Sequence, residues 1–326
     1  MSQKYIGGFI TKSPTAPTTA AAKGIWTLDQ AANYRKQGIW PATPGAPTIG
    51  TATAGVVSAT VAYTAPTNLG AGTVTYTATS SPGGLTGTGA SPITVSGLTA
   101  STSYTFTVTA ATPGGTSAAS AASNSVTPTA PLVIGDAYQG GFYAGQISTA
   151  GNSIADYNLV IGPVASAQTT SKQWKTSNTT TAGTSSAIDG PTNSTNMNNA
   201  SHPAAEFCEG LTIGGFSDWY SPAKNELEIC YYNLKPGTAL NATNSGTNTN
   251  AVPSRGSNYT TGSPVQTAAA AFITSSGAEA FSIADYWTST EASATKAWAA
   301  SFYHGQQNDG SKIYAYRIRA VRRVAV

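Results

Sequence analysis

Gly214-Gly215-Phe216-Ser217-Asp218-Trp219-Tyr220-Ser221-Pro222-Ala223-Lys224-Asn225-Glu226-Leu227 is the stretch on which the reading of this chain turns. Ser221 followed by Pro222 has the form of a helix start, with serine as N-cap and proline in the first turn, where its missing N–H costs nothing. The helical spacing continues through Tyr232 and places Leu227, Cys230 and Tyr231 on one face. Residues 204 to 209 have the same spacing. Downstream lie Asp285-Tyr286-Trp287-Thr288-Ser289-Thr290-Glu291 and an Arg-rich end, Arg317-Ile318-Arg319-Ala320-Val321-Arg322-Arg323. From Pro131 onward the pattern is therefore mixed helix and strand. The Thr- and Asn-rich runs 176 to 200 and 238 to 262 read as polar loops, longer than most connections and suited to carrying variable contacts.

In their order, these three blocks resemble the DUF1566 family, the domain at the C-terminus of Legionella collagen-like proteins, grouped with C-type-lectin-like folds. The resemblance implies an α+β lectin-like domain and a binding surface. It also implies that Trp219, Tyr286, Trp287 and Trp298 define the shape of the core, although an aromatic face can equally stack on a sugar ring. Asp218 and Glu291 read as carboxylate partners of Arg317, Arg319 and Arg322, locking the two ends of the domain together.

Moving outward, the charge distribution divides the chain into three zones. Residues 1 to 45 hold five basic residues and one acid, residues 46 to 135 hold no charge, and the remainder holds eleven basic against twelve acidic residues. Only 9% of the 326 residues are charged, against roughly 25% in ordinary globular proteins. The net charge of +3 is too small to argue for a nucleic-acid surface. No apolar run approaches the roughly 20 residues of a membrane span. The six-residue apolar patch before Lys12 is too short for a signal-peptide core, which leads to an expectation of cytoplasmic synthesis.

The charge-free zone alternates with period two. Val57 to Tyr63, Thr73 to Ala78 and Tyr104 to Ala110 read as strands, with Gly and Pro clusters between them. This pattern resembles a bacterial fibronectin III domain, with the Leu98 to Tyr104 spacing of a tyrosine corner and Tyr63 where a core Trp is common. The fold class expected is thus multidomain and mainly β. Residues 1–45 form an N-terminal segment, 46–130 a fibronectin III-like β-sandwich spacer, and 131–326 an α+β C-type-lectin-like head.

In the N-terminal segment, Thr27 and Gln30 have the spacing of a capping box, Trp26 and Ala31 that of a hydrophobic staple, and Gly38 ends the helix. Ten residues of helix do not fold alone. Trp26, Leu28, Tyr34 and Trp40 therefore read as a plug that docks into a larger assembly, or as a segment packing back on its own chain. The stretch also resembles N-terminal segments of structural proteins of marine tailed phages.

The residues 303 to 312 are expected to form a hairpin tip with a row of donors and acceptors: Tyr303, His304, Gln306, Gln307, Asn308 and Asp309. They are candidates for contact with a host receptor or polysaccharide, while Asn308-Asp309-Gly310 is also a strong plain turn signal. Asn308-Asp309 is similar to the calcium-ligating pair of true C-type lectins. Gln307 stands where those have Trp, and no Glu-Pro-Asn partner exists, so calcium is the weaker expectation and no cofactor or metal is assigned.

Enzymatic readings find little support. The chain has two histidines, His202 and His304, neither beside a nucleophile pattern, and no phosphate-binding Gly-rich loop. The sulfatase-activating oxidase shares the broad fold and uses two cysteines, but Cys208 and Cys230 lie on expected helices outside any matching motif. Cytosolic folding favours two buried thiols over a disulfide there. The sum is a virion appendage, non-enzymatic, whose N-terminus binds other virion proteins and whose C-terminal head binds a host-surface glycan or receptor. A homo-oligomer, for example a trimer, suits such an appendage. The alternatives are a purely structural decoration protein of capsid, neck or tail, and a bacterial surface adhesin.

Overall fold

The computed structural model describes residues 27–36, 43–70 and 72–326. The chain divides into two compact units, Met1–Pro131 and Leu132–Val326, and is mainly β, with strands in several separate sheets. No helix among the described residues is long and apolar enough to cross a membrane.

Helix α1 spans Leu28–Lys36. The Gln30 N–H donates to Thr27 Oγ1 at 3.2 Å and the Thr27 N–H to Gln30 Oε1 at 3.0 Å, the reciprocal capping box that satisfies two otherwise orphaned donors. Trp26, Gly38 and Trp40 lie outside the described residues, and so does the staple expected of Trp26.

The charge-free zone folds as a β-sandwich. Strands β1 (Thr48–Gly55), β2 (Ser58–Thr64) and β5 (Ile93–Ser96) form one sheet. Strands β3 (Thr75–Ser81), β4 (Thr86–Thr88), β6 (Thr105–Thr112) and β7 (Gly115–Thr116) form the other, in the order β4-β3-β6-β7. Alternate residues point inward, so that Val61, Ala78, Phe106 and Val108 are fully buried and close one core between the sheets. Tyr104 makes the corner, its Oη accepting the Thr99 N–H at 3.1 Å. Tyr63 is half-buried, 4.6 Å from the Tyr76 ring, and donates to the Gly89 carbonyl; it flanks the core. After β7, the run Ser117-Ala-Ala-Ser120-Ala-Ala-Ser123 is zipped to β6. The three hydroxyls accept the N–H groups of Ala110, Val108 and Phe106 at 2.9–3.0 Å. Serine at every third position thereby satisfies a strand edge that a regular β-ladder would otherwise pair.

The second unit is α+β. Its first sheet runs β12-β9-β10-β17, with β8 also paired to β9. The strands are β8 (Ala137–Tyr138), β9 (Gly141–Ile147), β10 (Tyr157–Ile161), β12 (Ala251–Val252) and β17 (Val321–Ala325). The second sheet runs β11-β16-β13-β14-β15, from β11 (Gln168–Gln173), β13 (Asp285–Glu291), β14 (Lys296–Ser301), β15 (Gln307–Ser311) and β16 (Ala315–Arg319). Four α-helices accompany them: α2 (Val164–Ala167), α3 (Gly190–Thr195), α4 (Pro203–Glu209) and α5 (Lys224–Leu234). One core cluster joins α5 to both sheets through Leu159, Leu227, Tyr231, Tyr286 and Phe302. A second gathers α4 with Trp174, Trp219 and Trp287. Cys208 belongs to the second cluster and Cys230 to the first, and both thiols are free and buried.

Two expectations are corrected here. Helix α5 begins at Lys224, behind an extended Ala223. The Pro222 carbonyl instead accepts the Ser289 N–H of β13, the Ser221 N–H donates to Ser194 Oγ, and Glu226 reaches back to cap the helix by accepting the Ala223 N–H at 2.7 Å. The polar runs are also not simply exposed loops. Thr184, Asn193, Ser194, Asn241 and Asn248 are buried, because asparagine amides can satisfy backbone groups that no strand pairs. Asn241, for example, donates to the Pro264 carbonyl and accepts from Tyr231 Oη.

Candidate functional site

Strand β15 is the free edge of the second sheet. Its register sets Asp309 directly across from Trp298, Gln307 across from Ala300, and Asn308 across from the buried Ala299. Trp298, Gln307 and Asp309 thus share one face of the edge, while Asn308 turns to the core side, where its Oδ1 is buried without a partner. The Trp298 ring is half-buried and carries the Lys224 ammonium 3.6 Å from its centroid. Burial lowers the Lys224 pKa. Lys296 and Asp309 form an ion pair at 2.8 Å, both about half-exposed. The Gln307 amide donates to the Lys224 carbonyl at 3.4 Å, and its N–H donates to Ser245 Oγ at 3.0 Å. The ring, with the Lys224 ammonium over one face, shares its side of the edge with Gln307 and with Asp309 of the Lys296–Asp309 pair, so that what it leaves uncovered is a stacking surface beside hydroxyl partners.

The turn of the β14–β15 hairpin falls at residues 302–306, and the Asn308-Asp309-Gly310 turn expected from sequence is corrected: those three residues are strand. Gly305 makes the turn at φ +74°, and a Cβ there would meet Tyr231 at 2.2 Å. Gly310 lies in the strand, at a position where a Cβ would meet Tyr316 and Trp287 near 3 Å. Tyr303 is 55% exposed, and its ring lies 5.4 Å from the half-buried His304. The His304 carbonyl accepts the Ala242 N–H at 2.8 Å. The structure therefore groups Gln307 and Asp309 with Trp298, sets Tyr303, His304 and Gln306 on the adjoining turn, and turns Asn308 away. Lys224 and Lys296 were missed in the sequence, where neither carries a spacing signal.

The arginines and carboxylates pair differently from expectation, with one agreement. Asp218 holds Arg322 through two hydrogen bonds of 2.7 and 2.9 Å. Arg319, fully buried, pairs with Glu279 at 2.8 Å instead of Glu291 or Asp218. Arg317 is half-buried and makes no ion pair among the described residues. Glu291 is taken by the buried Lys312 and accepts the Thr181 N–H at 2.8 Å. Trp219, Tyr286 and Trp287 are buried, so no sugar can stack on them. Trp298 is the exception among the four aromatics, since it lies at the rim.

Residues 164–322 match the Lcl C-terminal domain. The Lcl match, just under half of the chain, begins after β10 and ends inside β17, so most of the first sheet lies outside it. The polar edge lies within it. A comparison with curated proteins finds no match. Among solved structures, a fibronectin type III domain of human fibronectin type III domain containing protein 3 is 23% identical, covering 28% of this chain and 88% of its own, with a TM-score of 0.21. A titin domain structure is 21% identical over 27% of this chain, TM-score 0.25, and this chain spans only 33% of it. The rat CD45 extracellular domains d3-d4 are 16% identical, covering 39% of this chain and 73% of theirs, TM-score 0.25.

Behind the edge, within the Lcl segment, lies a buried cationic clamp. Lys175 Nζ donates to the Thr179 and Thr180 carbonyls and to Thr181 Oγ1; Lys312 Nζ donates to the Thr179 and Ala294 carbonyls and to Glu291. His202 closes the cluster, with Nε2 2.9 Å from Thr181 Oγ1 and Nδ1 3.0 Å from Asn199 Oδ1. Burial first, then the two lysines, lower the His202 pKa to about 4. Because the unfolded chain binds this proton near pH 6.5 and the folded chain does not, stability is full above pH 6.5 and is lost as pH falls towards 4. At pH 5 the loss is on the order of 2 kcal/mol. Thermal unfolding of the C-terminal unit should therefore fall steadily from pH 6.5 to 5, and His202→Gln should flatten that slope.

Proposed function

We propose that the chain is a non-enzymatic virion appendage whose C-terminal head holds a host-surface glycan on the β14–β15 edge. The observation that carries this reading is the half-buried Trp298 ring at the sheet edge, with Lys224 over it and Gln307 and the Lys296–Asp309 pair beside it. The Lcl match and the lectin-like resemblance of the same segment support it. In this reading the N-terminal segment with Leu28, which is 89% exposed, docks to other virion proteins, and the charge-free sandwich is a spacer. Weak sites suffice where many copies act together on one particle, and a homo-oligomer would supply the first multiplication.

The test is a glycan array probed with the full chain in multivalent form. Tyr303→Ala and Trp298→Ala are each expected to weaken binding about tenfold or more, equivalent to 1.4 kcal/mol per site. Unchanged binding by both would remove the edge from consideration. The second reading, a decoration protein bound to neighbouring virion proteins, draws on the outer edge of the same strand, since a free sheet edge can take up a strand from another chain.

A further inference from the structure

A groove on the C-terminal unit, separate from the β14–β15 edge, is made of two adjoining cavities of about 660 and 330 Å³ that share Tyr232 and Ser263. Their volumes fall in the range of small-molecule sites. The smaller end is polar. Arg255 stacks on the Tyr232 ring at 4.0 Å, and Ser254, Ser257 and Asn258 surround it. The larger end is walled by Val265, 73% exposed, and a run of alanines from Ala268 to Ala271.

The chemistry of the polar end is set by what lies beneath it. Glu228, fully buried, takes the Arg255 guanidinium in an ion pair and accepts from Tyr259 Oη at 2.5 Å and from Asn248 at 2.6 Å. The Arg255 charge is therefore already compensated, and its position is fixed from below. Asp136, the one carboxylate in the groove wall, accepts the Val133 N–H at 3.0 Å. An anionic ligand would find no unpaired cation in the groove wall, while Asp136, exposed and without an ion pair among the described residues, keeps acceptor capacity for a hydroxyl at the larger end. Polar capacity nonetheless remains. Arg255 Nε is one of three buried side-chain atoms without a partner among the described residues, and of the three it is the one whose residue lines this groove. Asn258 Oδ1 is used by Thr247, which leaves its amide hydrogens for another acceptor. Hydroxyl and amide donors at one end, an aromatic ring in the shared wall and aliphatic carbon at the other complement a ligand that carries both C–H faces and neutral hydroxyls.

We propose that this groove is a second binding site, for a neutral oligosaccharide of roughly two to three sugar units. It does not depend on the reading of the β14–β15 edge, and its test separates the two. The full chain is titrated with maltotriose, cellotriose and triacetylchitotriose, followed by saturation-transfer NMR and calorimetry. Ser257→Trp blocks the polar end and Ala268→Trp the apolar end; both positions are exposed, so thermal unfolding should match the parent. The expected result is binding of at least one trisaccharide, weakened about tenfold or more by each tryptophan and unchanged by Tyr303→Ala. Three results would overturn the proposal: no binding of any of the three sugars, binding indifferent to both tryptophans, or binding lost with Tyr303→Ala.

Discussion

Replacing Arg319 with leucine should destabilise the C-terminal unit by about 3–5 kcal/mol, a loss of roughly 10 °C in Tm for a unit of this size. Arg319 is fully buried at the end of β16, its Nε donating to the Gly162 carbonyl at 2.7 Å. Its two terminal nitrogens donate to the carbonyl and the carboxylate of Glu279 at 2.8 Å. Burial lowers its pKa to about 10, so the side chain is still charged at neutral pH. Leucine fills much of the volume between Phe272 and Phe281, over which the guanidinium lies, but leaves two carbonyls and a largely buried carboxylate without their donor. The cost is therefore one of unpaired polar groups more than of packing. A calorimetric scan showing a shift of only a degree or two would contradict this.

Glu226 should behave similarly but with a partial rescue. Its carboxylate is fully buried and accepts from Tyr220 Oη at 2.6 Å, from Arg323 Nε at 2.7 Å and from the Ala223 N–H at 2.7 Å. It thus caps α5 and pins β17 to that helix with one group. Glu226→Leu strands the guanidinium and uncaps the helix, for an expected cost of about 3–5 kcal/mol. Adding Arg323→Met removes the stranded charge, so the double variant should recover about half of the loss, leaving the cap and the Tyr220 hydroxyl unpaired. Additive losses in denaturant titrations would show that the two side chains do not act as a pair.

These two carboxylate–arginine pairs show where the sequence was readable and where it was not. The sandwich strands announce themselves through period two, and Tyr104 through its distance from Leu98, because those signals are local. Helices α4 and α5 also follow from spacing, although the start of α5 shifts because Glu226, inside the helix, supplies the cap expected of Ser221. Partner choice among charges is not local. Glu279 lies in a Ser-, Gly- and Ala-rich run without periodicity, 40 residues from Arg319, and Lys312 claims Glu291 only because β15 and β13 are brought together by β14. The hairpin turn was misplaced for a related reason. Asn308-Asp309-Gly310 has ideal turn chemistry, but Gly310 is small to admit Tyr316 and Trp287, and the turn is set by Gly305 against Tyr231. At the candidate site, Tyr303, Gln307 and Asp309 could be picked out from their residue types, whereas Lys224 arrives from the first turn of a helix that only the fold brings to the edge.

The most direct test of the central claim is adsorption of full-chain-coated beads to host envelope polysaccharide, before and after mild periodate oxidation of its vicinal diols, with Tyr303→Ala and Trp298→Ala beads alongside. A glycan-binding head predicts strong adsorption by the parent, lost after oxidation and weakened in both variants. Adsorption that survives oxidation, or that never occurs with the parent, would contradict it.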